Sequence, residues 1–340
     1  MSITGLGQDG SIKVQKEAVY KTPLTASQAF LPWVQGVIKH VVEQIEVQNM
    51  IGSRIQQDPV AGRKSVKSDE VVLEIPADLA GLYLELGLGA LVTVTDTPVA
   101  GANTHTGLIP IDGENCGASW TVEQFIGADT GEQFAGVKCI GFKIAWDNQG
   151  TTKFHLMLVG VDLNENAVTR PTTIIVSATE KMKFCGVTVQ ITPSGVTQFA
   201  QLTNSGEINV NFGYIDEGQR YKASACTAQA PIFGTIPTVT ITINIDAEKR
   251  FETWAQEQKS FKVDISMLTA GFIAGTTPYK LSCEAPAMIL EAETNRDAQN
   301  DNISLDLNFN VATGGTTTGS GTDVVQAEFV IVDDVASYTG

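Results

Sequence analysis

Residues 70–86, EVVLEIPADLAGLYLEL, align without a gap on residues 238–254, TVTITINIDAEKRFETW, at a constant offset of 168. Val71, Leu73 and Ile75 fall on Val239, Ile241 and Ile243, the period of two that marks a strand with one buried face. Asp78 falls on Asp246, and after it the period changes to 3.6. Leu79, Leu82, Tyr83 and Leu86 make one helical stripe, and Ala247, Phe251, Trp254 and Ala255 the other. Asp246 suits a cap of the second helix, Pro76 the edge of the first, and Gly87 and Gly89 its end. Each half therefore predicts a strand leading into a short helix. Further on, KCIGFKIAW and KFHLMLVGV close the first half as KLSCEAPAMIL and ISLDLNFNV close the second, at an offset of about 144. The offset falls because residues 90–116, rich in Thr, Gly and Pro, form a longer connection in the first half.

A chain of 340 residues exceeds the roughly 250–300 at which one core stops growing. Abundant Val, Ile and Thr, 32 Gly and dispersed turn residues favour sheets, with at least six strands expected in each half. The expected fold is mainly β: two tandem β-sandwich or barrel domains, each with one short flanking helix. Residues 1–170 form the first domain, with its long loop at 90–116, and residues 183–340 the second. Residues 163–182 read as the crossing, of which 171–182 separate the domains. Residues 312–322 read as a flexible Gly/Thr loop.

The net charge is −16, with 12 basic and 19 acidic residues in 1–170 and 10 and 19 in 171–340. Such a surface gains nothing from counterion release on nucleic acid, and an anionic membrane repels it. No basic segment followed by an apolar run opens the sequence, and no apolar stretch approaches a membrane span, so a soluble chain made in a cytoplasm is expected. Cys116, Cys139, Cys185, Cys226 and Cys283 are widely spaced and never in a C-x-x-C pair, which predicts small buried hydrophobes and no disulfide framework or zinc site.

Catalytic patterns are missing. His40, His105 and His155 lie on distant segments, and strand or loop histidines of this kind are expected to be structural. Asp162, Asn164 and Asn166 begin like a calcium loop, but Ala167 replaces the required Gly and Thr173 the bidentate Glu. Gly87-Leu88-Gly89 follows a helix and lacks a third glycine, so it reads as a helix stop and not a dinucleotide loop. Ser320 between Gly319 and Gly321 lacks the setting of a nucleophile elbow. Glu291, Glu293, Asp297, Asp301 and Asp306 read as solvated charges, and Trp33, Trp120, Trp146 and Trp254 are too dispersed for a sugar platform. No catalytic, cofactor-binding or metal-binding residue is assigned, no cofactor is expected, and the chain is expected not to be an enzyme.

At EVVLEIPADLAGLYLELG, preceded by IEVQNMIGSR, the chain resembles the major tail tube proteins of long-tailed, siphovirus-type bacteriophages in their two-domain form. The likeness spans both halves, with residues 70–89 and 238–257 at the strand and helix positions. It is one of pattern, with no functional residue to carry over. The resemblance implies a self-assembling virion protein whose stacked rings form the hollow conduit for DNA ejection, residing in the tail after assembly in the host cytoplasm. Implied partners are the chain itself, as a trimeric ring with pseudo-sixfold symmetry, together with tape-measure, tail terminator and distal tail or baseplate proteins. DNA is implied only as cargo that does not stick, and no membrane is involved. The loop at 90–116 would match the family's extended loop that reaches a neighbour, so that deleting 92–114 would leave a folded monomer unable to polymerise. The alternatives are another tail or hub component of the same duplicated fold, a two-domain carbohydrate-binding module, and a hydrolase built from the scattered carboxylates.

Overall fold

The computed structural model describes residues 10–23, 29–45, 60–110, 118–126, 130–148, 150–160, 162–169, 177, 179–194, 199–201, 203–214, 221–222, 227–228, 233, 236–246, 249–291, 295–299, 302–311, 314–317, 319–321 and 323–338. Up to residue 170 the elements are β1 (Ser11–Lys16), β2 (Ala29–Leu31), β3 (Trp33–Gln35), β4 (Ile38–Ile45), β5 (Val60–Ser68), β6 (Val71–Glu74), α1 (Ala80–Leu88), β7 (Val92–Val94), β8 (Asn103–Pro110), β9 (Trp120–Phe125), β10 (Thr130–Asp147), β11 (Lys153–Gly160) and β12 (Asp162–Thr169). Then come β13 (Val187–Pro193), β14 (Phe199–Gln201), β15 (Thr203–Asn211), β16 (Tyr221–Lys222), β17 (Thr227–Ala228), β18 (Thr238–Asp246), α2 (Lys249–Gln256), β19 (Ser260–Ala274), β20 (Thr277–Leu290), β21 (Asn295–Gln299), β22 (Asn302–Val311) and β23 (Val325–Asp333). The protein is mainly β, and nearly all strand pairs are antiparallel. Residues 162–169, read above as the start of the crossing, are strand, so the calcium-like run lies in β12 and not in a loop.

One broad sheet runs in the order β3–β6–β11–β10–β15–β18–β22. A second runs β14–β13–β19–β20–β23–β8–β7, and β20 ties the two together through three pairs with β22. β10 serves twice. Its first part pairs with β9 and β12, and after bulges between Phe134 and Val137 and between Cys139 and Gly141 its second part pairs with β11 and β15. Alternation puts Phe142, Ile144, Phe154, Ile208, Ile241, Ile243, Leu307 and Phe309 on the buried side of the first sheet. They share one continuous cluster with Val263, Ile265, Leu281 and Phe329 of the second. Phe142 and Phe329, from opposite halves of the sequence, meet edge-on with ring centroids 5.6 Å apart.

Both helices lie where the repeat predicts them. α1 ends at Gly89, whose φ of 86° and N–H donated to the Glu85 carbonyl at 2.7 Å make a left-handed cap. Instead of presenting one stripe, all nine residues of α1 are buried, Glu85 included. Lys16 Nζ meets the Glu85 carboxylate at 2.6 Å. In α2, Phe251 and Ala255 are buried while Thr253 and Gln256 are exposed. No helix among the described residues is long and apolar enough to cross a membrane.

Candidate functional site: the seams between the halves

Among the described residues, the most extensive contacts between the two halves are two seams where strands of 1–170 pair with strands of 183–340. In the first, β10 and β15 form seven register pairs from Gly141–Asn211 to Asp147–Ser205, centred on Ile144–Ile208. Trp146 crosses this seam over Gly206. A Cβ at Gly206 would lie 2.4 Å from the indole and 2.8 Å from the Thr242 carbonyl oxygen, so only glycine admits the indole there. In the second seam β8 pairs with β23, from Val325–Pro110 to Asp333–Asn103.

The second seam is fastened by a buried polar cluster. His105 and Asp333 have no solvent exposure. His105 Nε2 faces two groups that only accept, Asp333 Oδ1 at 3.1 Å and the Val335 carbonyl at 2.9 Å, so Nε2 carries the proton. Nδ1 then accepts from the Thr93 hydroxyl at 2.8 Å, and Tyr338 donates to the other oxygen of Asp333. Burial pushes the Asp333 carboxyl above its ordinary range. Residues 90–116, expected as a long loop reaching a neighbour, thus contain the hairpin β7–β8, docked on the second half of its own chain. Deleting 92–114 would strip a core strand carrying His105 and Ile109, which corrects the expectation of an intact monomer.

A third junction is the end of the crossing segment. Ser177 Oγ donates to Asp78 Oδ1 at 2.6 Å, and the Thr179 hydroxyl bonds the same oxygen. The Ala77 N–H donates to the Glu180 carbonyl at 3.0 Å, the Met182 N–H to Ile75 at 2.9 Å, and the Thr152 N–H to Met182 at 2.9 Å. Met182 is fully buried. The segment is thereby clamped between the end of β6 and the start of β11.

The strand pairing repeats between the halves. Leu73 of β6 faces Phe154 of β11, and Ile241 of β18 faces Phe309 of β22. Phe154 faces Ile144 on its other side, and Phe309 faces Leu290. Trp33 faces Leu73, and Ile208 faces Ile241. β1 lies between β2 and β9 as β13 lies between β14 and β19. The four-strand set β3–β6–β11–β10 thus has a counterpart in β15–β18–β22–β20, and the first seam joins the last strand of one to the first of the other. The outer edges of β3 and β21 have no strand partner among the described residues, whereas β20, the last strand of the second set, has β22 and β23 on one side and β19 on the other.

The solvent face of the broad sheet is polar. On the first half Lys143 lies 3.2 Å from Glu70 and 3.7 Å from Glu207 of β15, and His155 Nδ1 lies 3.0 Å from Glu70. On the second half uncharged groups dominate, with Thr242 donating to Asn308 at 3.0 Å and Asn244 to Asp306 at 2.6 Å. A groove of about 400 Å³ follows the first seam past Trp146, Lys153, His155 and Asn244. A cleft of about 520 Å³ on the second sheet is lined by hydroxyls and carboxylates, including Thr106, Ser266, Ser282, Glu284 and Glu328. Its only thiol, Cys283, is buried and pushed up by desolvation and by Asp264, Glu284 and Glu328, so it offers no thiolate.

The structure disperses the remaining candidates. His40 is exposed on β4, His105 is consumed in the clasp, and burial lowers the His155 pKa although Glu70 opposes the shift. Cys139 is buried, its thiol pushed up to about 12 by desolvation, and Cys185 is exposed. Cys116 and Cys226 lie outside the described residues, as do Glu293 and Asp301, while Glu291 is exposed. The Gly/Thr loop at 312–322 is tied down where described: Thr317 N–H donates to Ser320 Oγ at 2.8 Å and Gly319 N–H to Glu328 at 2.9 Å. Among the described residues no group of three or more His, Cys, Asp or Glu is placed to hold a metal ion. Sequence reasoning missed the His105–Asp333 clasp, whose signal is faint: a histidine on the inward alternation of an otherwise Thr-rich strand.

No protein-family model matches the chain, and no curated protein matches it.

Proposed function

We propose that this chain is a non-enzymatic structural subunit of a phage tail tube, made of two tandem copies of one β domain, three chains forming a ring and rings stacking into a hollow conduit for DNA. The observation that carries the reading is the repeated four-strand set joined edge to edge within one chain, with the outer edge of β3 left without a strand partner among the described residues. Free sheet edges recruit strands, and heterologous contacts that close by rotation make rings. Six domain positions around a ring then need three chains. The polar face of the broad sheet, low in unpaired cations and set in a protein of net charge −16, suits passage of phosphate without a binding minimum. Tape-measure, terminator and baseplate proteins of the tail are the partners this role requires.

Negative-stain electron microscopy with mass photometry of the concentrated protein tests the reading. Rings or tubes with a particle mass of three chains per ring are expected. A monomer that stays dispersed both alone and with a tail-tip initiator complex would overturn it.

A further inference from the structure

The clasp on the second seam has a reactive side as well as a structural one. The Thr93 hydroxyl lies 2.8 Å from His105 Nδ1, and His105 Nε2 lies 3.1 Å from Asp333 Oδ1. Two acceptors keep the ring proton on Nε2, so the lone pair of Nδ1 is left for the proton of Thr93. Asp333 has no solvent exposure and takes hydrogen bonds from His105, from the Val335 N–H at 2.9 Å and from the Tyr338 hydroxyl. Its charge is therefore held against the one ring on which a positive charge would form. The base is enclosed, but the hydroxyl is not. Thr93 is exposed in the middle of β7, between Val92 and Val94, which are exposed too, and β7 pairs only with β8 among the described residues.

We infer that Thr93 is an activated hydroxyl that accepts an acyl group from a reactive ester or thioester, with His105 as its base and Asp333 as the positioning residue. A hydroxyl on a base that is itself oriented by a third group is the arrangement that makes a weak nucleophile competent. Thr93 Oγ1 attacks the carbonyl carbon of the donor, and its proton passes to His105 Nδ1. The Asp333 carboxylate stabilises the imidazolium. The bond from the carbonyl carbon to the donor's oxygen or sulfur then breaks, and the imidazolium returns its proton to the departing alkoxide or thiolate. The products are O-acyl Thr93 and a free alcohol or thiol, with no further reactant. His105 has no solvent exposure, so water does not reach Nδ1 to cleave the new ester. The acyl group stays, and Thr93 is a modification site of a structural chain and not the centre of a turnover cycle. This stands independently of the ring proposed above.

The test is site-resolved acylation of the full-length protein by p-nitrophenyl butyrate, with the rate at each residue read by peptide mass mapping. Thr95, exposed two residues further on, is the internal control. Thr93 is expected to be butyrylated about a hundredfold faster than Thr95, the usual gain from a positioned base. Thr93→Val should abolish that fast reaction, Thr93→Ser should keep it, and Thr95→Val should leave it unchanged. In urea the rate at Thr93 should fall to that of Thr95 while exposed lysines continue to react. Butyryl groups found only on lysines and on the exposed Cys185, or Thr93 reacting no faster than Thr95 in the folded protein, would overturn the proposal. Loss of the Thr93 ester in reagent-free buffer as fast as it forms would overturn its persistence. For Asp333→Asn, shown to be folded by circular dichroism, the rate at Thr93 is expected to fall relative to the lysines. A folded Asp333→Asn protein that reacts at the wild-type rate would overturn the part given to Asp333.

Discussion

The two helices occupy matching places in the two halves and have opposite surroundings. α1 is enclosed on every side, between β10 and β8, whereas α2 buries Phe251 and Ala255 and leaves Thr253 and Gln256 in solvent. The cause is the connection that follows each one. After α1 the chain makes the hairpin β7–β8 and lays it on β23, but after α2 it enters β19 within four residues with no such hairpin intervening. The same local pattern thus yields an interior helix where a later segment returns over it and a surface helix where none does. The helix of the first half is covered from within the chain, and that of the second keeps an exposed face.

The strongest way to break this comparison is at the shared core. Phe142 touches Phe154, Phe212 and Phe329 and is fully buried, so Phe142→Ala should cost about 3–5 kcal/mol. Chemical denaturation followed by tryptophan fluorescence should show both halves unfolding in one transition at the lower midpoint. Two separate transitions in the wild type would mean that the seams do not couple the halves. Next comes the first seam. Gly206→Val, which drives a side chain into Trp146 and the Thr242 carbonyl, should cost about 1–3 kcal/mol and expose the indole to quenching.

A register-matched pair sharpens the contrast between helices, because Glu85 and Thr253 stand 168 residues apart. Glu85→Ala leaves Lys16 without its partner in a largely buried setting and should cost about 1–3 kcal/mol, whereas Thr253→Ala should stay within about 0.5 kcal/mol. Equal effects in thermal melts would show that the environments of α1 and α2 do not differ as described. The smallest expected effect is with pH. Burial lowers the pKa of His155 below 6.5, so between that lowered value and 6.5 the unfolded chain binds more protons than the folded one. Stability is therefore present above 6.5 and lost as the pH falls through this window. His155→Gln should flatten the decline in melting temperature between about pH 7 and about pH 5.5 by a small amount, since Glu70 beside the ring opposes the effect of burial.

Much of this was readable from the residues. Val71, Leu73 and Ile75 announce β6, Val239, Ile241 and Ile243 announce β18, and the change of period at Asp78 and Asp246 places both helices. Ile208 and Val210 mark β15, but nothing local says that its neighbour is β10. Register between strands 64 residues apart at their centres is settled by packing across the whole sheet, here by Trp146 meeting a glycine. β8 was hidden for another reason. Its inward positions are Asn103, His105, Gly107 and Ile109, and three of those four carry no apolar signature, so a buried strand reads as a loop. The clasp on Asp333 was hidden with it. Total burial of α1 was equally out of reach, because Tyr338 and β8, which help to cover it, come from far along the chain.

The seam between β10 and β15 has a mechanical side. Its seven register pairs run side by side, and β10 continues beyond them into a further sheet with β9 and β12. A pull along the strand direction loads all seven in shear at once, whereas a pull across the sheet would open them one after another. The seam would therefore hold the two halves of the chain as one stiff link against a pull along the strands.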